Sequence, residues 1–477
     1  MSHTTIIKWT DGSETETSLK SIYEGFTSLY NRQKDDLKEV IAGEEVKTVG
    51  VYAFKACRNL ERVYLSDSVE GVMEFAFSWC EKLHDVRLPE GIDRIAIQAF
   101  VNCSSLKVVK LPDSISLIDD EAFKDCIGLE EIAIPESVKT VSANAFTNCR
   151  NLKEIRIPAG VEIIDAMAFQ GCSELSRLSF DGGSSLKEIG PNAFEKCGKL
   201  NIEGGVFSKL ATIGGHAFDG CKNLEVFELP ESLGFIGDAA FRGCSSLKNF
   251  IKFNDKLRKI GKAAFSDCSS LTEAEFSSYD ENIVPEALFS GCTSLVKVSG
   301  IENMERIEAR AFLGCTALKT VSVSSKLKDI GEWAFKGCIS LSLELPEGDF
   351  RVGTDAFSYI SDIDSKGNKD FSKYRETVFT TQYYSDSDMS VAERMKLSAA
   401  DILCCLRYDK LHNFIPYEIA DRCIAELEEY RLSDNKMLPA ELISYFDSVY
   451  DSLEFPLSEE GEIIRAKLYK FCMERLN

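Results

Sequence analysis

Apolar residues along this chain return with a period of about 23 positions, where a lone strand would repeat every 2 and a helix every 3.6. The clearest marker is a phenylalanine, at Phe54, Phe77, Phe100, Phe123, Phe146, Phe169, Phe194, Phe218, Phe241, Phe265, Phe289, Phe312, Phe335 and Phe357, with gaps of 22 to 25 residues. Alanine precedes it every time but one, where Leu288 stands. Val or Ile lies five residues before it, from Val49 to Val352. Three residues after it comes a cysteine, Cys57 through Cys338, with Ile360 breaking the rule in the last repeat, and six after it a leucine, Leu60 through Leu341. A unit this short cannot enclose a core by itself, so its inward side chains must be covered by the units before and after it.

After the leading leucine the pattern alternates, as in LERVYL at 60–65, LKVVKL at 106–111 and LKEIRI at 152–157, which predicts one half-buried strand per repeat. Laid side by side these strands make a parallel sheet. Several end in proline, at Pro89, Pro112, Pro135, Pro158 and Pro230, where a missing N–H suits chain leaving the ladder. The phenylalanines should stack into an aromatic spine, each burial worth roughly 1.5–3 kcal/mol.

The ends of the chain depart from the repeat. Residues 1–44 read as a cap: a short strand in IIKWTDG, then Leu19, Ile22, Tyr23, Phe26, Leu29 and Tyr30 at helical spacing. Fourteen repeats fill 45–357, and 358–390 turns to Ser, Asp, Lys and Tyr, as a connector or C-terminal cap. Residues 391–477 read as four helices, with Met395, Ala399, Ile402, Leu403 and Leu406 on the first apolar face and Pro416, Pro439 and Ser458 opening the others. The expected fold class is thus α/β: a right-handed solenoid with a parallel sheet, an N-terminal helical cap and a C-terminal all-α segment.

The repeat I-x-x-x-A-F-x-x-C-x-x-L-x-x-V-x-L-P resembles that of BspA-like leucine-rich repeat proteins, found at bacterial surfaces and in some protists. The resemblance covers about 45–357 and implies a protein-binding surface molecule, often an adhesin.

Charge narrows the choice of partner. Fifty-five basic residues against 77 acidic ones give a net charge of -22, which repels nucleic acid and anionic lipid. No apolar run is long enough to insert in a membrane, and residues 1–20 show no signal-peptide pattern, so the expected location is cytoplasmic, with secreted or cell-surface as the alternative. Thirteen of the 17 cysteines belong to the repeat, one per turn. Zinc ligands come in close pairs, which are absent, and parallel Cβ vectors on adjacent rungs oppose disulfides. They read as a ladder of buried thiols suited to reducing surroundings.

Catalytic chemistry finds little support. His3, His84, His216 and His412 have no partner at metal-ligand spacing, and no nucleophile elbow, zinc-protease motif, phosphate loop or dinucleotide fingerprint occurs. Asp362, Asp364 and Gly367 open like a calcium loop, but Lys366 and Lys373 stand where oxygen ligands are required. No catalytic residue, metal or cofactor is therefore expected. The candidate protein-binding residues lie on two outward columns of the strands: ten after each Phe, with Tyr64, Arg87, Lys110 and Arg156, and eight after it, with Arg62 and Arg177. Basic groups on so acidic a chain can recognise an acidic partner or neutralise adjacent carboxylates. The main expectation is a protein-binding scaffold; the alternatives are a bacterial surface adhesin and an enzymatic or docking activity in the C-terminal helices.

Overall fold

The computed structural model describes residues 4–203, 207–248, 250–276, 279, 281–345, 350–358 and 362–365. The four helices expected over 391–477 lie outside these. The chain divides into two compact units, one of residues 1–289 with 298–300 and the other of 290–297 with 301–477.

The first unit carries eleven of the phenylalanine turns and is built from hydrogen-bond ladders between successive turns. The first ladder is the expected one. It begins with Thr5–Trp9, antiparallel to both Glu14–Thr17 and Leu37–Ile41, and continues in parallel through Arg62–Tyr64 and Asp85–Arg87. Later rungs include Glu154–Ile157, Arg177–Phe180 and Asn201–Glu203, then Ile251–Phe253 beside Glu273–Phe276. The outermost strand, Glu14–Thr17, reads ETET and is exposed or half-exposed along its length, a hydrophilic edge that discourages further pairing.

A second ladder was not expected. Two-residue strands ending in the Val or Ile five before each Phe pair in parallel, eight in a row from Arg94–Ile95 to Lys259–Ile260. In the Ala-Phe segment a third set of bonds runs from a Phe N–H to the carbonyl of the residue before the next turn's Phe, as from Phe54 to Ala76 and Phe146 to Ala168, both at 2.8 Å. Backbone polar groups buried in each turn are thereby satisfied by the adjacent turn.

The phenylalanines from Phe54 to Phe265 are buried and stacked, ring centroids 5.0–5.5 Å apart and planes within 14° of parallel. The turn around each one needs two left-handed residues. The residue two before it has positive φ in all fourteen turns, from Tyr52 at 58° to Asp355 at 53°, and the residue two after it does so wherever described, from Ala56 at 57° to Gly337 at 79°. None of these positions holds a β-branched residue, for which that conformation is most costly.

The second unit repeats the scheme, with Thr320–Ser322, Ser342–Leu345 and Asp362–Ser365 in one parallel ladder and Arg306–Ile307, Asp329–Ile330 and Arg351–Val352 in the other. Asp362 and Asp364, the opening of the failed calcium loop, are strand residues.

Two parts of the expected fold class need correction. The class is a β-solenoid, because the side opposite the main strands is a second ladder and no α-helix occurs among the described residues. The N-terminal helical cap does not form. Residues 18–42 make an incomplete turn in which Ile22 pairs with Val49 in the second ladder and Phe26 packs edge-on against Phe54 at 5.6 Å. Only short 3-10 turns, Phe26–Tyr30 and Lys34–Asp36, interrupt it, and Tyr23 and Leu29 are exposed, which a helix covering the first turn would not leave.

The thiol ladder is present. In nine consecutive turns, Cys80 to Cys268, each buried Sγ donates to the carbonyl of the preceding turn's Phe at 3.0–3.3 Å, as does Cys338 to Phe312. Burial pushes Cys57, Cys126 and Cys197 up to about 12 and holds most of the others well above the usual thiol range. Since the thiolate is the reactive species, these sulfurs are inert. An aromatic disulfide reagent should therefore titrate at most the four cysteines outside the repeat, Cys404, Cys405, Cys423 and Cys472, in the native protein, and all 17 in denaturant. Prompt native reaction of more than four would show that the ladder is open.

Candidate protein-binding face

Alternation in the first ladder sends Val63, Val86, Ile155 and Leu178 inward and leaves their neighbours facing solvent. All six candidate residues stand on that outward side. Arg62, Tyr64 and Arg87 are half-exposed; Lys110, Arg156 and Arg177 are exposed. The register sets Arg62 beside Glu39 and Asp85, and Tyr64 beside Arg87.

The structure brings most of them into ion pairs on the same surface. Arg62 Nε donates to Glu39 at 2.6 Å, and Lys8 reaches the same carboxylate at 2.9 Å. Burial of Glu39 works against its charge, yet the bonds from Lys8 and Arg62 outweigh it and hold the carboxyl below its usual range. Tyr64 donates to Asp85, which raises the phenol's pKa. Arg87 grips Asp67 with two contacts of 2.9 Å and donates to the Leu65 carbonyl at 2.7 Å. Arg156 bridges Glu136 at 2.8 Å and Asp181 at 2.5 Å, and Arg177 bridges Glu154 at 3.1 Å and Glu203 at 3.4 Å. Lys110 alone stands exposed with no ion-pair partner among the described residues.

The sequence pattern missed the carboxylates that hold these arginines. Asp67 and Glu136 lie twenty positions before Arg87 and Arg156, at the end of the previous turn's strand, outside both columns. A signal existed in that shared spacing, though the alternation that defined the columns does not reach it. Of the histidines, His84 is exposed, and its ring Nδ1 lies 3.0 Å from the Lys82 carbonyl of its own turn. His216 lies 2.9 Å from Asp219, which Arg242 also holds, so that carboxylate is saturated rather than poised for catalysis. Among the described residues no group of three His, Cys, Asp or Glu could hold a metal ion, and no helix is long and apolar enough to cross a membrane.

Comparison with known proteins agrees with this geometry. The family model described as a BspA type leucine rich repeat region matches residues 27–153, 94–224, 200–289 and 282–382. No curated protein matches the chain. Among solved structures, a leucine-rich repeat protein from Bacteroides ovatus is 24% identical, with a TM-score of 0.55 over 79% of this chain and 98% of that one, a likeness of fold. A leucine rich cell surface protein from Faecalibacterium prausnitzii is 25% identical over 79% of this chain and 96% of that one, with a TM-score of 0.46.

The expected cytoplasmic location is withdrawn in favour of its alternative, because the family whose resemblance implies a surface molecule is the one that the family model matches. The thiols gave it no real support: sealed in the core, they tolerate an oxidising medium as well as a reducing one. This is a non-catalytic repeat protein, with a solenoid surface suited to contact with other proteins. The chain belongs to the BspA-type leucine-rich repeat family.

Proposed function

We propose that this protein is a bacterial surface adhesin whose first six turns bind proteins of a host or neighbouring cell through the outward side of the first strand ladder. The observation that supports it is the repeated presentation of Arg62, Tyr64, Arg87, Lys110, Arg156 and Arg177 in two columns fixed by backbone pairing, with the four arginines anchored by ion pairs. Charges held in one geometry meet a partner with little ordering cost, and such arrays govern encounter and specificity more than raw affinity. The partner's complementary groups are carboxylates or backbone carbonyls presented to Lys110 and to the unused guanidinium edges.

Attachment of beads coated with the chain to living cells tests this. Replacing Arg87, Lys110 and Arg156 together by Glu is expected to cut attachment at least about tenfold, the scale of a 1.4 kcal/mol loss in binding. The melting temperature should fall by only a few degrees, because the pairs are exposed or half-exposed and worth about 0–1 kcal/mol each. Unchanged attachment would remove these residues from the binding face. Loss of the protein from intact native cells on brief trypsin treatment would support surface display.

A further inference from the structure

The turn between Phe241 and Phe265 is one residue longer than the 23-residue norm, and the register shows where the surplus falls. The Lys248 N–H donates to the Glu225 carbonyl at 3.0 Å, so both stand at the seventh position after their phenylalanines. Beyond it, Ile251, Lys252 and Phe253 pair with Ala274, Glu275 and Phe276, which puts Ile251 level with the ninth position of the following turn. Two residues lie between Lys248 and Ile251 where one lies between Thr272 and Ala274. An extra residue inserted in one strand re-aims the side chains beside it, and such insertions recur beside functional sites.

Here it turns an aromatic ring outward. Phe250 is 47% exposed, although Phe227, Phe253 and Phe276 of the same ladder are at most 2% exposed. Its neighbour on the outward column, one turn earlier, is Val226, 45% exposed and eight after Phe218. Exposed carboxylates stand at neighbouring positions of these turns: Glu225 and Glu228 on either side of Val226 in sequence, and Glu273 in the turn that follows. Of the nearby cations, Lys248 is tied to Glu225 at 2.7 Å, and Lys252 lies in register with Glu275. The result is an apolar centre within an acidic rim, the arrangement in which a few buried anchors supply most of the binding and the charges select the partner.

We propose that Phe250 and Val226 form a docking site for a cationic amphipathic segment of a partner protein, which seats an apolar side chain on the two residues and turns Lys or Arg toward Glu228 and Glu273. The site rests on the reading of this ladder as a protein-binding surface, but it uses turns eight to ten and charge of the opposite sign to that of turns one to six.

Random peptides displayed on phage and selected against the full chain provide the test. Enriched peptides should join Leu, Met, Phe or Trp to at least two Lys or Arg and should weaken as salt is raised. They should bind the Val226→Ser, Phe250→Ser double variant at least about tenfold less well. That variant should melt within a few degrees of the parent chain, because nearly half of each residue already lies open to solvent. Peptides that bind both proteins equally, carry acidic residues instead, or fail to enrich at all would overturn the site. The Arg87→Glu, Lys110→Glu, Arg156→Glu variant should keep its peptide binding while losing cell attachment, so either reading can fail without the other.

Discussion

Truncating Phe146 to Ala is expected to lower the unfolding free energy by about 3–5 kcal/mol. The ring is fully buried between Phe123 at 5.5 Å and Phe169 at 5.3 Å, within 5° of parallel to both. Its loss therefore removes apolar burial, opens a cavity and breaks two stacking contacts, each worth about 0.5–1.5 kcal/mol beyond area. Because each turn of a solenoid is held by its neighbours, the damage falls on two interfaces at once and should split a single denaturant transition into two. Phe357 gives the contrast: also buried, it stacks on Phe335 alone among the described residues, at 6.1 Å, and its truncation should cost clearly less. Equal losses, followed by circular dichroism in urea, would show that the stacking carries no energy of its own.

Gly237→Val should be at least as damaging, for the opposite reason. An added Cβ there would stand 2.2 Å from the Gly215 nitrogen and 2.6 Å from the Gly214 carbonyl carbon, both backbone atoms of the preceding turn, which no rotamer change can move aside. The restriction is one of space, since Gly237 has no positive φ. It recurs at Gly190, Gly214 and Gly261, each four residues before its phenylalanine, so the turns of this stretch approach backbone to backbone. Overpacking that cannot relax is expected to cost about 3 kcal/mol or more. Gly91→Val, where an added Cβ meets nothing within 4 Å, should stay within about 0.5 kcal/mol of the parent. A comparable loss at both glycines, read from thermal melts, would refute the close-approach account.

The repeat was legible because its inward positions tolerate so few residue types: a stacked ring, a small sulfur and a leucine must recur when each turn forms the floor of the next. The second ladder left a much weaker trace. Only one of its two residues faces inward, as Val141 does beside half-exposed Thr140, and two residues are too short to show alternation. At the N-terminus, Leu19, Ile22, Tyr23, Phe26, Leu29 and Tyr30 fit helical spacing well, yet only Ile22 and Phe26 of these are buried. A two-strand turn that places an isoleucine and a phenylalanine four residues apart imitates a helix in that window. The left-handed positions were readable in principle from their lack of β-branched residues, though Tyr52, Phe75, Gln98, Glu121 and Met167 share nothing else. On the candidate face, alternation placed the columns on the outward side of the strands, where the structure has them. It could not reveal that Arg87 and Arg156 are held from strand ends one turn earlier, because that contact depends on how turns stack rather than on the strand itself.

The way the buried Sγ–H groups, the Phe N–H groups and outward lysines such as Lys153 find partners one turn away has a hereditary consequence. A joint between turns is the same joint wherever it occurs, so an in-frame loss or duplication of 23 codons within turns two to five would recreate contacts the protein already makes. Most insertions of that size would wreck a globular domain. Here they would add or remove one rung of surface, letting a lineage lengthen, shorten or reshuffle its columns of exposed residues without having to solve the folding problem again.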